Sequence, residues 1–262
     1  MRICLTVAYD GTAYAGWQVQ PEKATVQGAL EAVLQRTTGR KIRVTGASRT
    51  DAGVHAEGQV CHFDAPQVDD KSGPTEWLRR FNALLPADIR VLAAASAGAD
   101  FHARYGASRK TYRYQIDRQS VASPFLAAYA WHCPGLFRLA EMREAAGLLV
   151  GDLDQAIFAT RPEGDRPIRP IDECSVDSGR LLTVTVSGRS FLRYAVRGMV
   201  GALVEVGCNR RSVAAMREMI AGATNHPRAV RAPAHGLCLV RVDYEELACR
   251  RLTTADTAKS AC

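Results

Sequence analysis

Residues 41–64 read KIRVTGASRTDAGVHAEGQVCHFD, two apolar stretches, 41–47 and 58–64, separated by a polar, glycine-containing loop. Their patterning predicts a strand on each side of the loop. Upstream, residues 2–9 alternate as a strand and Asp10-Gly11 makes a turn. Thr25 is placed to cap a helix in which Val26, Ala29, Leu30, Val33 and Leu34 recur at helical spacing, closed by Gly39. Downstream, Trp77, Leu78, Phe81 and Leu85 share one side of a short helix over 75–84, and a strand follows at about 89–96. The order around the quoted stretch is β-α-β-β-α-β, the split βαβ pattern in which helices pack on one face of an antiparallel sheet.

The second half repeats the order. Residues 110–117 alternate through Tyr112, Tyr114 and Ile116, and Leu139, Met142, Ala146 and Leu149 form one stripe of a helix over 138–150. Strands are predicted at 168–176 and 180–187. A helix over 191–206 is capped by Ser190 and stopped by Gly207, another over 213–221 is capped by Ser212, and a last strand covers 237–244. The expected fold class is α+β: two tandem β-α-β-β-α-β (ferredoxin-like) units with antiparallel sheets joined side by side, helices on one face, and a basic active-site cleft between them. The expected domains are 1–104, carrying the quoted loop, and 105–248. Residues 249–262, which lack an apolar stripe, are expected to be a flexible tail.

Composition narrows the function. The chain has 262 residues, 47% hydrophobic and 23% charged, which excludes a disordered tail and a fibrous repeat. A mean hydropathy of −0.13 and the lack of a long uncharged apolar run exclude a membrane-spanning helix. The start, Met1-Arg2-Ile3-Cys4-Leu5, runs straight into strand-like sequence, so the expectation is a cytoplasmic protein without a signal or transit peptide. A net charge of +7 points toward a polyanionic partner. Only five of the 34 basic residues are lysine (Lys23, Lys41, Lys71, Lys110, Lys259), leaving 29 arginines. Guanidinium holds phosphate bidentately and stacks on bases. A GC-rich genome also trades lysine for arginine, so composition leaves the two explanations level. None of the eight cysteines forms a C-x-x-C pair, and Cys61-His62 and His132-Cys133 lack zinc-site spacing. Reduced thiols and no structural metal are expected.

The loop holds the residues suited to chemistry. Arg49 and Asp51 are two apart, so in extended chain they project to the same side. A cation beside a carboxylate keeps it ionised, and a positioned carboxylate acts as nucleophile or general base. On physics alone the commoner arrangement is a hairpin whose Asp51 bonds its own turn amides.

The string Ser48-Arg49-Thr50-Asp51-Ala52-Gly53-Val54-His55-Ala56, with Gly58-Gln59-Val60 and Phe63, closely resembles the active-site motif of the tRNA pseudouridine synthase A family. Four further blocks resemble that family in its order. They are Tyr9-Asp10-Gly11-Thr12 with Gly16-Trp17-Gln18 and Thr25-Val26-Gln27; Phe101-His102-Ala103-Arg104 with Lys110-Thr111-Tyr112-Arg113-Tyr114; Phe191-Leu192 with Val196-Arg197 and Val200-Gly201; and Ala232 to Leu237 with Val242-Asp243-Tyr244. The resemblance spans Tyr9 to Tyr244.

It implies an isomerase that converts uridine to pseudouridine in the anticodon stem-loop of tRNA by base flipping, without a cofactor, as a homodimer. By resemblance Asp51 is the catalytic carboxylate, attacking sugar or base. Tyr112 is the active-site tyrosine, with Tyr114 the structural one. Arg49 and Arg197 are the active-site arginines, Arg197 pairing with the aspartate, and Leu237 forms an apolar pocket wall. His55 is read as a hydrogen-bond partner that orders the loop. Phosphate ligands are sought among Arg36, Arg40, Lys41 and Arg43, among Arg79-Arg80 and Arg104, and among Arg109-Lys110-Arg113 and Arg210-Arg211. The chain departs from the family at Ser48, commonly glycine, at Tyr194 and Ala195, usually His-Met, and at Gly198, usually asparagine. These departures support the alternatives of altered catalysis or of a non-catalytic RNA-binding or RNA-folding protein on the same scaffold. A third reading, a Cys/His metallohydrolase, is disfavoured by the spacing.

Overall fold

The computed structural model describes residues 1–66, 73–159, 167–222 and 229–245. The expected tail at 249–262 lies outside the described residues. In chain order the elements are β1 (Arg2–Tyr9), α1 (Val26–Thr38), β2 (Thr45–Gly46), β3 (His55–Asp64), α2 (Pro74–Leu84), β4 (Ile89–Ala97), β5 (Ala107–Asp117), β6 (Trp131–His132), α3 (Leu139–Gly147), β7 (Gly151–Asp154), β8 (Ile168–Ile171), β9 (Glu173–Ser178), β10 (Leu182–Gly188), α4 (Ala195–Gly207), α5 (Val213–Ile220) and β11 (Leu237–Tyr244). The fold is mixed α+β with mainly antiparallel pairing. The chain divides into two units, Met1–Ser108 together with the strand residues from Leu239, and Arg109–Cys238.

In the first unit β1 lies antiparallel between β3 and β4, with Leu5 opposite Cys61 on one side and Ala94 on the other. Ile3, Cys4, Leu5 and Val7 are all fully buried, so β1 is covered on both faces. Thr25 caps α1, its hydroxyl accepting from the Gly28 amide, and Gly39 closes the helix with φ +69. Leu30, Val33 and Leu34 form its buried stripe. On α2, Trp77 and Phe81 meet Phe63 of β3 edge-on, with ring centroids 5.2 and 5.8 Å away.

The strand expected over 41–47 shrinks to two residues, Thr45 and Gly46, paired with His62 and Cys61. The neighbour of β3 in the sheet is instead β11. The last strand, read from sequence as the end of the second half, thus groups with the first unit from Leu239 onward. Leu239 and Val242 are buried there.

In the second unit β10 lies between β5 and β9, with Val184 opposite Tyr114 and Val176. β6 adds to β5 in parallel. The strand expected over 168–176 is broken at Asp172, whose amide donates to Ser187 O at 2.9 Å. This leaves β8 to pair with β7, which the sequence reading missed, and β9 to pair with β10. α3 ends at Gly147, and the rest of its expected span, to Val150, continues as turns bonded three residues back. Ser212 caps α5 as expected, accepting from the Ala215 amide at 3.0 Å. Ser190 caps nothing: its hydroxyl accepts from Arg169 at 3.1 Å, and α4 starts five residues later, at Ala195.

Cys4, Cys61, Cys133, Cys174, Cys208 and Cys238 are free, and burial pushes the Cys174 thiol up to about 12. Among the described residues no helix is long and apolar enough to cross a membrane.

His62 gives the first unit a pH dependence. Its Nδ1 accepts from the Ala103 amide at 3.2 Å, its ring meets Phe101 at 5.9 Å, and burial lowers its pKa to about 4. Unfolded, the imidazole titrates near 6.5 and binds more protons than the folded one below that pH. Its contribution is complete above about pH 6.5 and is lost as pH falls toward 4. Thermal midpoints are expected to fall over that window. Replacing His62 with glutamine is expected to flatten the slope, and an unchanged slope refutes the assignment.

Candidate functional site

The loop between β2 and β3 is anchored on both sides of Asp51. The Trp17 amide donates to Thr50 O at 3.1 Å, and the Gly53 amide donates to Tyr14 O at 3.3 Å. The Thr50 hydroxyl lies 2.8 Å from that of Tyr9, a buried pair. Gly16 makes the approach possible: its φ is +100, and a Cβ there would sit 2.5 Å from Thr50 O. Below the loop, Gln59 is fully buried; its amide nitrogen donates to Ser48 O at 2.7 Å and its oxygen accepts from Ser48 N at 3.2 Å. Nδ1 of buried His55 accepts from the Gly11 amide at 3.0 Å, the ordering role read from the motif.

This scaffold leaves Asp51 half-buried in a turn closed by the Val54 amide donating to Asp51 O at 3.1 Å. Arg49, two residues before, is exposed and makes no ion pair among the described residues. Its charge is therefore available to an anion brought from outside.

The other site residues belong to the second unit. Tyr112, on β5 opposite Val186, is 6% exposed and meets Phe191 edge-on at 5.3 Å. Tyr114 is fully buried and its hydroxyl donates to Pro233 O at 2.8 Å, the structural role expected of one of the two tyrosines. Desolvation raises its pKa well above the usual phenol range. Leu237 is buried at the start of β11. On α4, Arg197 is fixed twice to one residue: its Nε donates to Ala232 O at 2.7 Å, and its own carbonyl accepts from the Ala232 amide at 3.1 Å. Asp51 with Arg49 and Tyr112 with Arg197 and Leu237 are thus described as two sets, one per unit.

The structure sorts the basic residues that sequence could only name. Arg79 and Arg80 both bind Glu76, at 2.8 and 2.7 Å. Arg109 reaches Glu173 at 3.3 Å, Arg211 binds Glu205 at 2.8 Å, and Lys110 is buried. Arg36, Arg40, Lys41 and Arg43 are exposed, as are Arg104 and Arg210. Sequence reasoning missed a cluster at the start of α4, where Arg193, Arg197 and Arg231 all lie over the ring of Tyr194. The four-residue spacing of Arg193 and Arg197 was legible, but no pattern linked them to Arg231.

A family model described as tRNA pseudouridine synthase matches residues 5–106 and 145–245. Proteins named tRNA pseudouridine synthase A are similar over nearly the whole chain. That of Geobacter sulfurreducens is 43% identical over 248 residues, covering 92% of this chain and 99% of its own length. That of Syntrophotalea carbinolica is 42% identical over 247 residues, covering 94% and 97%. That of Methylobacterium nodulans is 41% identical over 251 residues, covering 94% and 97%.

Proposed function

The chain belongs to the tRNA pseudouridine synthase family, and from that premise we propose that it isomerises uridine to pseudouridine in tRNA, within the anticodon stem-loop. The observation that carries this reading is the loop around Asp51. A half-buried carboxylate is pinned through the backbone on both sides, at Thr50 and Gly53, beside an exposed arginine without an ion pair among the described residues.

A uridine within an RNA stem is out of reach and is extruded at a cost of a few kcal/mol, offset by phosphate contacts and stacking. The carboxylate of Asp51 attacks the extruded nucleotide at sugar or base. The N-glycosidic bond breaks, the uracil turns, C5 bonds to the same sugar carbon, the bond to Asp51 is released, and C5 gives its hydrogen to water as a proton while N1 takes one up. Atoms and electrons balance within the nucleotide, so the reading calls on no cofactor. Tyr112 offers a ring to stack on the base and Leu237 an apolar wall. Arg197, held by Ala232, and Arg49 each offer a guanidinium group to the substrate. Each unit serves as a domain in this reading.

The protein is read as cytoplasmic and homodimeric. Strongly exposed Val121, Phe125 and Leu136, at 78%, 87% and 99%, support a second copy covering that segment. The experiment that tests the activity is tritium release from tRNA carrying 5-tritiated uridine: release by the wild type is expected, and its absence on every tRNA refutes the isomerase reading.

Tyr9 tests the scaffold of the loop. Tyr9→Phe removes the hydroxyl beside Thr50 and leaves a buried partner unsatisfied, costing about 1–3 kcal/mol. Because Thr50 precedes Asp51, displacement of the carboxylate is expected to lower kcat by about tenfold while tRNA affinity holds. Equal loss in both parameters contradicts a positioning role.

A further inference from the structure

Tyr194 stands just before α4 with φ +68, a left-handed backbone that bulky residues rarely adopt. Three guanidinium groups share its ring: Arg231 at 3.8 Å from the centroid, Arg193 at 4.7 Å and Arg197 at 5.6 Å. No two of them are farther apart than about 10 Å, comparable with the Debye length at physiological ionic strength. Salt therefore only partly screens their mutual repulsion. The face of an aromatic ring attracts cations, but it does not neutralise three.

Elsewhere the protein supplies acids to its gathered arginines: Glu76 to Arg79 and Arg80, Glu173 to Arg109, Glu205 to Arg211. Here it does not. The first turn of α4 holds no acidic residue, and exposed Arg193 and Arg231 have no carboxylate partner among the described residues. The cluster is rigid as well as charged. The Gly198 amide bonds Tyr194 O at 2.9 Å, and Ala232, beside Arg231, is bonded both ways to Arg197.

We propose that Arg193 and Arg231, arrayed by Tyr194, form a phosphodiester-binding site for the backbone of the RNA substrate. This rests on the reading of the chain as a tRNA-modifying enzyme. Guanidinium matches phosphate with two parallel charge-assisted hydrogen bonds. With Arg231 stacked against it, the ring of Tyr194 is not a free platform for a base. The contact therefore reads backbone and not sequence, and it fixes register on the RNA. Tyr194 is a positioning residue, setting the spacing of the guanidinium groups and tying them to Arg197.

The test is binding of an unmodified tRNA transcript, followed by fluorescence anisotropy across a KCl series. Arg193→Gln and Arg231→Gln are each expected to weaken binding about tenfold and to make the slope of log K against log salt shallower by about one. The loss is expected to be equal on tRNAs of unrelated sequence. Tyr194→Phe keeps the ring and is expected to bind as the wild type does. Tyr194→Leu is expected to lose as much as Arg231→Gln. Tyr194→Asn suits the left-handed backbone, so it folds at least as well, and it is expected to bind as weakly as the leucine variant. A salt slope unmoved by either arginine substitution overturns the site. A loss confined to one tRNA overturns backbone recognition, and equal binding by the phenylalanine and leucine variants overturns the role of Tyr194. A protein that releases tritium yet shows an unmoved slope keeps its activity and loses this site.

Discussion

Asp51→Asn is expected to slow tritium release from 5-tritiated tRNA by about 10⁴-fold or more, the scale seen when an enzyme's nucleophile is removed. Asparagine is isosteric, and the turn holding residue 51 is closed through its backbone carbonyl by the Val54 amide, a bond the substitution leaves in place. Thr50 and Gly53 stay anchored to Trp17 and Tyr14 through backbone atoms as well. The thermal midpoint is therefore expected to stay within a few degrees of the wild type, and tRNA binding is expected to persist. A variant that keeps more than a tenth of the wild-type rate removes Asp51 from the chemistry. A variant that loses activity only together with stability shows a scaffold effect instead.

The second large effect lies in packing. A Cβ at Gly198 would sit 2.1 Å from Phe158 O and 2.9 Å from Phe158 C, so backbone meets backbone. Phe158 has little freedom to retreat. It follows a 3-10 turn at Gln155–Ile157, and fully buried Gln155 accepts from the Leu192 amide at 2.8 Å and donates to Ser190 O at 3.3 Å. Gly198→Asn is expected to cost about 3 kcal/mol or more, lowering the melting temperature by roughly 10 °C. Gly198→Ala is expected to lose nearly as much, because the first carbon makes the clash. A shift under about 2 °C for either variant contradicts the packing argument. The backbone of Phe158 leaves no room for a side chain at position 198. Buried Ala195 at the start of the helix belongs to the same tight packing.

What was legible in the sequence was local. Thr25 and Ser212 capped where hydroxyl and spacing predicted, because a cap needs only an amide three residues away. The buried stripes of α1 and α2 followed from their 3.6-residue period. What was not legible depended on distant partners. The short β2 and the placement of β11 beside β3 are decided by pairing across more than 170 residues, and periodicity says nothing of which strand lies next to which. Ser190 met every local criterion for a cap, yet its hydroxyl was taken by Arg169, and the helix began at a left-handed tyrosine instead. At the candidate site, resemblance named Asp51 and Arg49. It did not reveal that Gln59, His55, Tyr9 and Trp17 brace the loop that carries them. Nor did it reveal that Arg109 and Arg211 already have acids of their own.

The return of β11 to the first unit sets an order of events at the ribosome. Roughly 130 residues separate Ser108 from Leu239, and translation adds about 5–20 residues per second. For on the order of ten seconds the nascent chain holds β1, β3 and β4 without the strand that completes their sheet, and most of one edge of β3 is bare. An unpaired edge invites pairing with other chains. Maturation of the first unit waits on the last strand to emerge, so a chain that stalls before Leu239 leaves the ribosome with both an incomplete sheet and a sticky one.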